Sequence, residues 1–209
     1  MARQPVLVSL EGVVWQGYGL TNNTYWSLDR HSLLRGADRN KGLGKKVALD
    51  AIARAVKGRS VNQIKPIVSE AAETVIAKVD EGIAARLKRL FVRNHQLIAM
   101  SSAPDFAVEA ILARLIGKGL NFSHDYFLAS RYETKEGYFT GEHQQLDKHE
   151  SVERLIGSLG ISKFATAFIN GGTDTGWALR YCQGIDPVRP GPVLQGALET
   201  NRELANKVR

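Results

Sequence analysis

Near its start the chain runs Pro5-Val6-Leu7-Val8-Ser9-Leu10-Glu11-Gly12-Val13-Val14-Trp15. An apolar run of this length suits a strand buried on both faces. It ends in a small hydroxyl, an apolar spacer, a carboxylate and a glycine. Such a strand delivers Ser9 and Glu11 to the carboxyl edge of a sheet, where open α/β folds place their chemistry. Two later stretches repeat the pattern. Gln96-Leu97-Ile98-Ala99-Met100 ends at Ser101-Ser102, and Lys163 to Ile169 ends at Asn170-Gly171-Gly172-Thr173-Asp174. Strands alternating with helices predict a parallel sheet that gathers all three ends at one edge.

The intervening segments supply the helices. Residues 20–94 read as a helical block. Ala48 to Val56 is apolar-rich and breaks at Lys57-Gly58. From Gln63 to Lys78 the apolar residues fall near helical spacing, with Ser60 as an N-cap and Pro66 favouring a start near 64–66. Asp80 to Asn94 is basic and amphipathic. Further on, Phe106 to Ile116 and Glu150 to Leu159 read as helices. Residues 126–141 read as two short strands around Lys135-Glu136-Gly137, a turn signal. Gly184 to Pro192 reads as a proline-rich loop before a terminal helix. The block at 20–94 sits between the first two strands, so its expected place is a cap over the carboxyl edge. The expected division is a core of residues 1–19 and 95–209 with an inserted cap of 20–94.

The chain has 209 residues, 44% of them hydrophobic, enough for one α/β domain with an insertion. No window is long and apolar enough to span a bilayer, and the first residues lack the sections of a secretory signal. Cys182 is the only cysteine, so no internal disulfide can form and a cytoplasmic setting is expected. The net charge of +7 is scattered over Arg3, Lys45-Lys46, Lys57-Arg59, Arg86-Lys88-Arg89, Arg202 and Lys207-Arg209. No basic run is interleaved with aromatics, so no specific nucleic-acid partner is expected. Solvated helix faces are the first reading of this charge, and a general attraction for anionic small molecules is the next.

These pieces resemble the haloacid dehalogenase superfamily, in its phosphoserine phosphatase-like branch. Val6 to Trp15 sits where the family has apolar-Asp-x-Asp-Gly-Thr/Val. Lys57-Gly58-Arg59-Ser60 is similar to the Lys-Gly-Arg-Ser piece of the helical cap, and Ile98 to Pro104 to the second motif. Gly137-Tyr138-Phe139-Thr140-Gly141 resembles the aromatic-Thr-Gly hairpin, and Asn170 to Leu179 sits at the fourth motif. The resemblance implies a Rossmann-like parallel core with an inserted α-helical cap.

The chemistry that the resemblance implies departs from the pattern. Family phosphatases attack phosphorus with the first Asp of motif one, which also helps hold Mg²⁺. Ser9 stands there. The second Asp, a general acid/base, is Glu11. Ser101 keeps the phosphate-binding hydroxyl, while the third-motif lysine aligns with Ser151 and the fourth-motif metal Asp with Gly172. Lys148 and Asp174 are the nearby replacements. The expectation is a degenerate site that has lost Mg²⁺-dependent phosphoryl transfer and needs no cofactor or metal. Its pocket would then take a small molecule, anionic or aromatic, with metal-independent acid/base chemistry at Glu11. Two alternatives stand beside it: an atypical Mg²⁺-using phosphohydrolase, and a non-catalytic binding or regulatory protein.

The candidate catalytic residues are Glu11 and Ser9. Ser9 reads as a repurposed nucleophile or as a small strand-end residue; Glu11 as a proton donor or acceptor, or as a turn residue. The candidate ligand-binding residues are Ser101, Ser102, Trp15, Tyr18, Thr173, Asp174 and Lys148. Ser101 and Ser102 equally read as caps for the helix that follows. Trp15, Tyr18, Tyr25 and Trp26 read as a ligand-facing lining or as packing between layers.

Overall fold

In the computed structural model, residues 3–15, 19–34, 44–170 and 175–189 are described. Strand β1 (Gln4–Ser9) leads into four helices, α1 (Leu20–Arg30), α2 (Lys45–Val56), α3 (Val61–Ile76) and α4 (Glu81–Val92). Then follow β2 (His95–Pro104), α5 (Asp105–Gly117), β3 (Phe122–Lys135), β4 (Tyr138–Gln144), α6 (Lys148–Leu159), β5 (Phe164–Asn170), α7 (Thr175–Tyr181) and β6 (Cys182–Arg189). One six-stranded sheet has the order β4-β3-β2-β1-β5-β6. Every pairing is parallel except β3 with β4.

The apolar run of β1 is buried on both faces, as its composition predicts. Val6 and Val8 point into a cluster with Leu97, Ala99 and Phe168 that α4, α5 and the helical insertion complete. Leu7, Ile98 and Ala167 point the other way, to Val152 and Leu155 of α6 and Trp177 of α7. Connections from β1 build outward through β2 to β3, then return to place β5 on the other side of β1. The order therefore reverses between β1 and β5, the kind of point at which open α/β sheets place their ligands.

Several elements follow from local chemistry. Helix α3 starts at Val61 because Ser60 and Gln63 form a reciprocal capping box: Gln63 N–H donates to Ser60 Oγ at 3.2 Å, and Ser60 N–H to Gln63 Oε1 at 3.0 Å. The cap thus overrides Pro66, which lies inside the helix rather than at its start. The β3–β4 turn has Glu136 and Gly137 both at positive φ, 53° and 82°, as a tight hairpin turn requires. The segment from Gly184, expected as loop, is instead the second half of β6. It pairs parallel with β5 along the sheet edge, where a proline such as Pro187 can be accommodated. The expected terminal helix lies outside the described residues. Among those residues, no helix is long and apolar enough to cross a membrane.

The insertion between β1 and β2 divides by what it packs on. Helices α1 and α3 pack together, α3 also lies on α5, and α2 lies on β4. Helix α4 instead lies directly on β2. The hairpin holds the insertion through backbone bonds: Gly58 N–H to Phe139 C=O (2.7 Å), Phe139 N–H to Arg59 C=O (2.9 Å) and Val61 N–H to Gly137 C=O (2.9 Å). Tyr132 adds a side-chain tie, its hydroxyl donating to Leu49 C=O at 2.8 Å. Burial pushes that phenol well above its usual range, so it remains a donor. Tyr132→Phe is expected to lower stability by about 1 kcal/mol, the net worth of one buried hydrogen bond. Urea unfolding checks this, and an unchanged midpoint would contradict it.

Candidate functional site

Parallel pairing sets Ser9 opposite Met100, so β1 and β2 reach the carboxyl edge together. Leu10 N–H donates to Met100 C=O at 2.9 Å, carrying the pairing one residue past the end of β1. The next residue on each strand meets its counterpart through side chains. Ser101 Oγ–H donates to Glu11 Oε1 at 2.6 Å, and Ser101 Oγ accepts from Ala103 N–H at 3.0 Å. The serine proton is therefore directed at the carboxylate.

The loop after Glu11 closes on itself. Gly12 N–H donates to Trp15 C=O, and Val14 N–H to Leu10 C=O, both at 2.9 Å. Gly12 has φ +79°, and a Cβ placed on it would lie 2.2 Å from Asn170 Nδ2. Two constraints thus demand glycine here: a left-handed backbone and the close approach of the β5 end. Gly19, just before α1, sits against Glu11 as well; a Cβ on it would lie 3.0 Å from Glu11 Cγ.

Ser102 faces the helical insertion. Its carbonyl accepts from Ser130 Oγ–H at 2.8 Å, and its hydroxyl accepts from Lys45 Nζ. Neither Ser101 nor Ser102 caps α5; Asp105 Oδ1 instead takes the N–H of Phe106 at 2.9 Å. Desolvation by burial raises the Asp105 carboxyl above its usual range, with backbone donors Tyr132 and Phe106 opposing the rise.

The structure therefore brings Glu11 and Ser101 together, with Ser102 next along β2 and Ser9 buried at the end of β1. Trp15 is fully buried within the larger core cluster, bridged to Val79, and its indole Nε1–H has no hydrogen-bond partner among the described residues. Its ring is core packing rather than an open lining. Lys148 is the first residue of α6, after its cap Asp147. Ser151 lines a cavity of about 310 Å³ between α6 and β3, with Tyr126, Leu128 and Arg154. Tyr18, Thr173 and Asp174, like Gly172, lie outside the described residues. Of the histidines, His31 contacts Glu70, His95 the Leu90 carbonyl, His143 Asp50 and His149 the Tyr181 ring.

Lys45 is the site residue that the sequence did not single out. In the chain it belongs to a basic pair that reads as solvated surface. One signal was present: Lys45, Leu49 and Ile52 share one helical stripe, and the latter two are fully buried. Lys45 stays exposed as a residue, but its place at the head of this stripe lets its ammonium reach Ser102.

Mg²⁺ wants hard oxygen donors in octahedral array, usually including one or two carboxylates. At this edge the described donors are one carboxylate, Glu11, and the hydroxyls of Ser9, Ser101 and Ser102. No group of three or more His, Cys, Asp or Glu among the described residues is placed to hold a metal. Asp174, the other carboxylate that the sequence offers for this edge, lies outside the described residues.

A mostly parallel six-stranded sheet flanked by helices, with the polar ends of β1 and β2 side by side, defines a Rossmann-like α/β protein. Residues 5–168 match the family model for haloacid dehalogenase-like hydrolases, and the chain belongs to that family. No curated protein sequence matches it. Among solved structures it is similar to a protein of unknown function from Bordetella pertussis Tohama I, at TM-score 0.66 and 11% identity, with 96% of each chain covered. It is also similar to a substrate-bound phosphoserine phosphatase complex, at TM-score 0.57 and 17% identity over 94% of this chain and 90% of that one. A predicted phosphatase from Clostridium acetobutylicum gives TM-score 0.56 and 17% identity, over 94% and 91%. At these identities the likeness is one of fold.

Gly12→Ala is expected to destabilise the protein by at least about 1–2 kcal/mol from the left-handed backbone alone. The contact with Asn170 adds to this, so Asn170→Ala in the Gly12→Ala background should recover part of the loss. Thermal or urea unfolding of the single and double variants checks both statements; full stability in Gly12→Ala would contradict the loop geometry.

Proposed function

We propose that this protein uses the crevice between its sheet edge and helical insertion to bind a small molecule, without Mg²⁺-dependent phosphoryl transfer. Glu11 is the proton-transfer group in this reading. One observation carries it: a Glu11 carboxylate held by Ser101 at 2.6 Å, beside a serine where the family has its nucleophilic carboxylate. A serine hydroxyl is a weak nucleophile without a base to activate it. The carboxylate can still take a proton from a bound ligand or return one, and that step needs no metal.

Ser101 supports the role by fixing the carboxylate from below. Its own proton points at Glu11, and the Ala103 amide fixes the serine oxygen in turn. Proton transfer by a positioned side chain depends on such fixed geometry more than on any single interaction strength. The reading carries with it a cytoplasmic setting and a small-molecule rather than nucleic-acid partner.

Hydrolysis of p-nitrophenyl phosphate with Mg²⁺ present tests the first half of the proposal. The expected rate is background, and the same in wild type and Ser9→Ala. Turnover that requires Mg²⁺ and disappears in Ser9→Ala would overturn the proposal.

A further inference from the structure

The family's core lysine position falls at Ser151, whose side chain lines a cavity between α6 and β3. Yet a lysine does reach this edge, from the opposite layer. Lys45 Nζ donates to Ser102 Oγ, one residue along β2 from the serine that holds Glu11. The two residues are 57 positions apart in sequence, so only the packing of the insertion brings them together.

That packing is firm. Helix α2 buries Ala48, Leu49, Ala51 and Ile52 in the main core. One turn after Lys45, the Leu49 carbonyl accepts the Tyr132 hydroxyl at 2.8 Å. At the next position, Asp50 Oδ1 lies 3.3 Å from His143 Nε2 on β4. Since residues i and i+4 share a helix face, these ties aim Lys45 along the buried stripe toward the end of β2. Lys45 is itself exposed, as is Lys46 about 100° further round the helix; it is Lys45 that reaches the Ser102 hydroxyl.

We infer that Lys45 is the anion-recognising residue of the site: a cation supplied by the insertion in place of one from the core, which selects ligands bearing a phosphate or carboxylate group. Glu11 and Lys45 then divide the edge between them. The carboxylate serves proton transfer, and the ammonium together with the Ser102 hydroxyl serves binding. A point charge on a flexible stem, unlike a guanidinium fork, accepts either oxyanion shape. This inference rests on the proposal that the crevice takes a small molecule, but it does not depend on the fate of phosphoryl transfer.

The test is anion titration of the full chain without Mg²⁺, followed by backbone amide NMR. Inorganic phosphate and acetate are titrated separately. Saturable shifts at Ser101, Ser102 and Ala103 are expected with at least one of them, and which one responds identifies the anionic group. Lys45→Met and Lys45→Gln should each weaken that binding by about tenfold or more, as loss of a charge-assisted hydrogen bond does. Lys45→Arg should retain most of it, and Lys46→Met should bind as wild type. The inference is overturned if neither anion gives saturable shifts, or if both folded neutral variants at position 45 bind like wild type. Phosphate-ester turnover is read in a separate assay with Mg²⁺, so failure of the one is distinguishable from failure of the other.

Discussion

The carboxyl ends of β1 and β2 are fastened to one another twice in succession. Leu10 N–H reaches the Met100 carbonyl, and one residue on, the Ser101 hydroxyl reaches Glu11. The backbone bond extends the parallel ladder past the end of β1 and fixes where Glu11 emerges. The side-chain bond then holds the carboxylate at the mouth of the crevice. Gly12 lets the chain turn back under Asn170, and Gly19 lets α1 begin against Glu11. The insertion therefore starts at the carboxylate itself. Its second helix returns to the same edge with Lys45 on Ser102.

This arrangement puts a carboxylate on Ser101 and an ammonium on Ser102, neighbours at the end of β2. Ser9, Ser101 and Ser102 are all nearly excluded from solvent. In such surroundings charge interactions are less screened than in water. Hydroxyls can donate or accept, so they adapt to either sign. The described residues at this edge supply one carboxylate, and its Oε1 is already the acceptor of a short hydrogen bond.

The buried strands were legible because their residues are apolar without alternation, and Val6, Leu7 and Val8 all prove fully buried. The polar strand ends were legible for the complementary reason, since Ser9, Glu11 and Ser101 interrupt those runs. Strand β6 was not, because a Gly-Pro-containing segment reads as loop unless its place on a sheet edge is known. Helix α4 read as continuous with the rest of the insertion, yet it lies on β2, burying Ile83, Ala84 and Leu87. Trp15 offered a choice between lining and core, and its full burial decides for core. Lys45 was the hardest to see. Its role depends on a contact between distant segments, set by Tyr132 and His143 on the hairpin rather than by anything near Lys45 in the chain.

We propose that a Glu11–Ser101 pair, rather than a carboxylate–metal centre, does the work at this edge. Calorimetric titration of the full chain with Mg²⁺ tests it most directly. The account predicts no saturable heat, in wild type and Glu11→Gln alike. Saturable Mg²⁺ binding by the wild type that is lost in Glu11→Gln would contradict it.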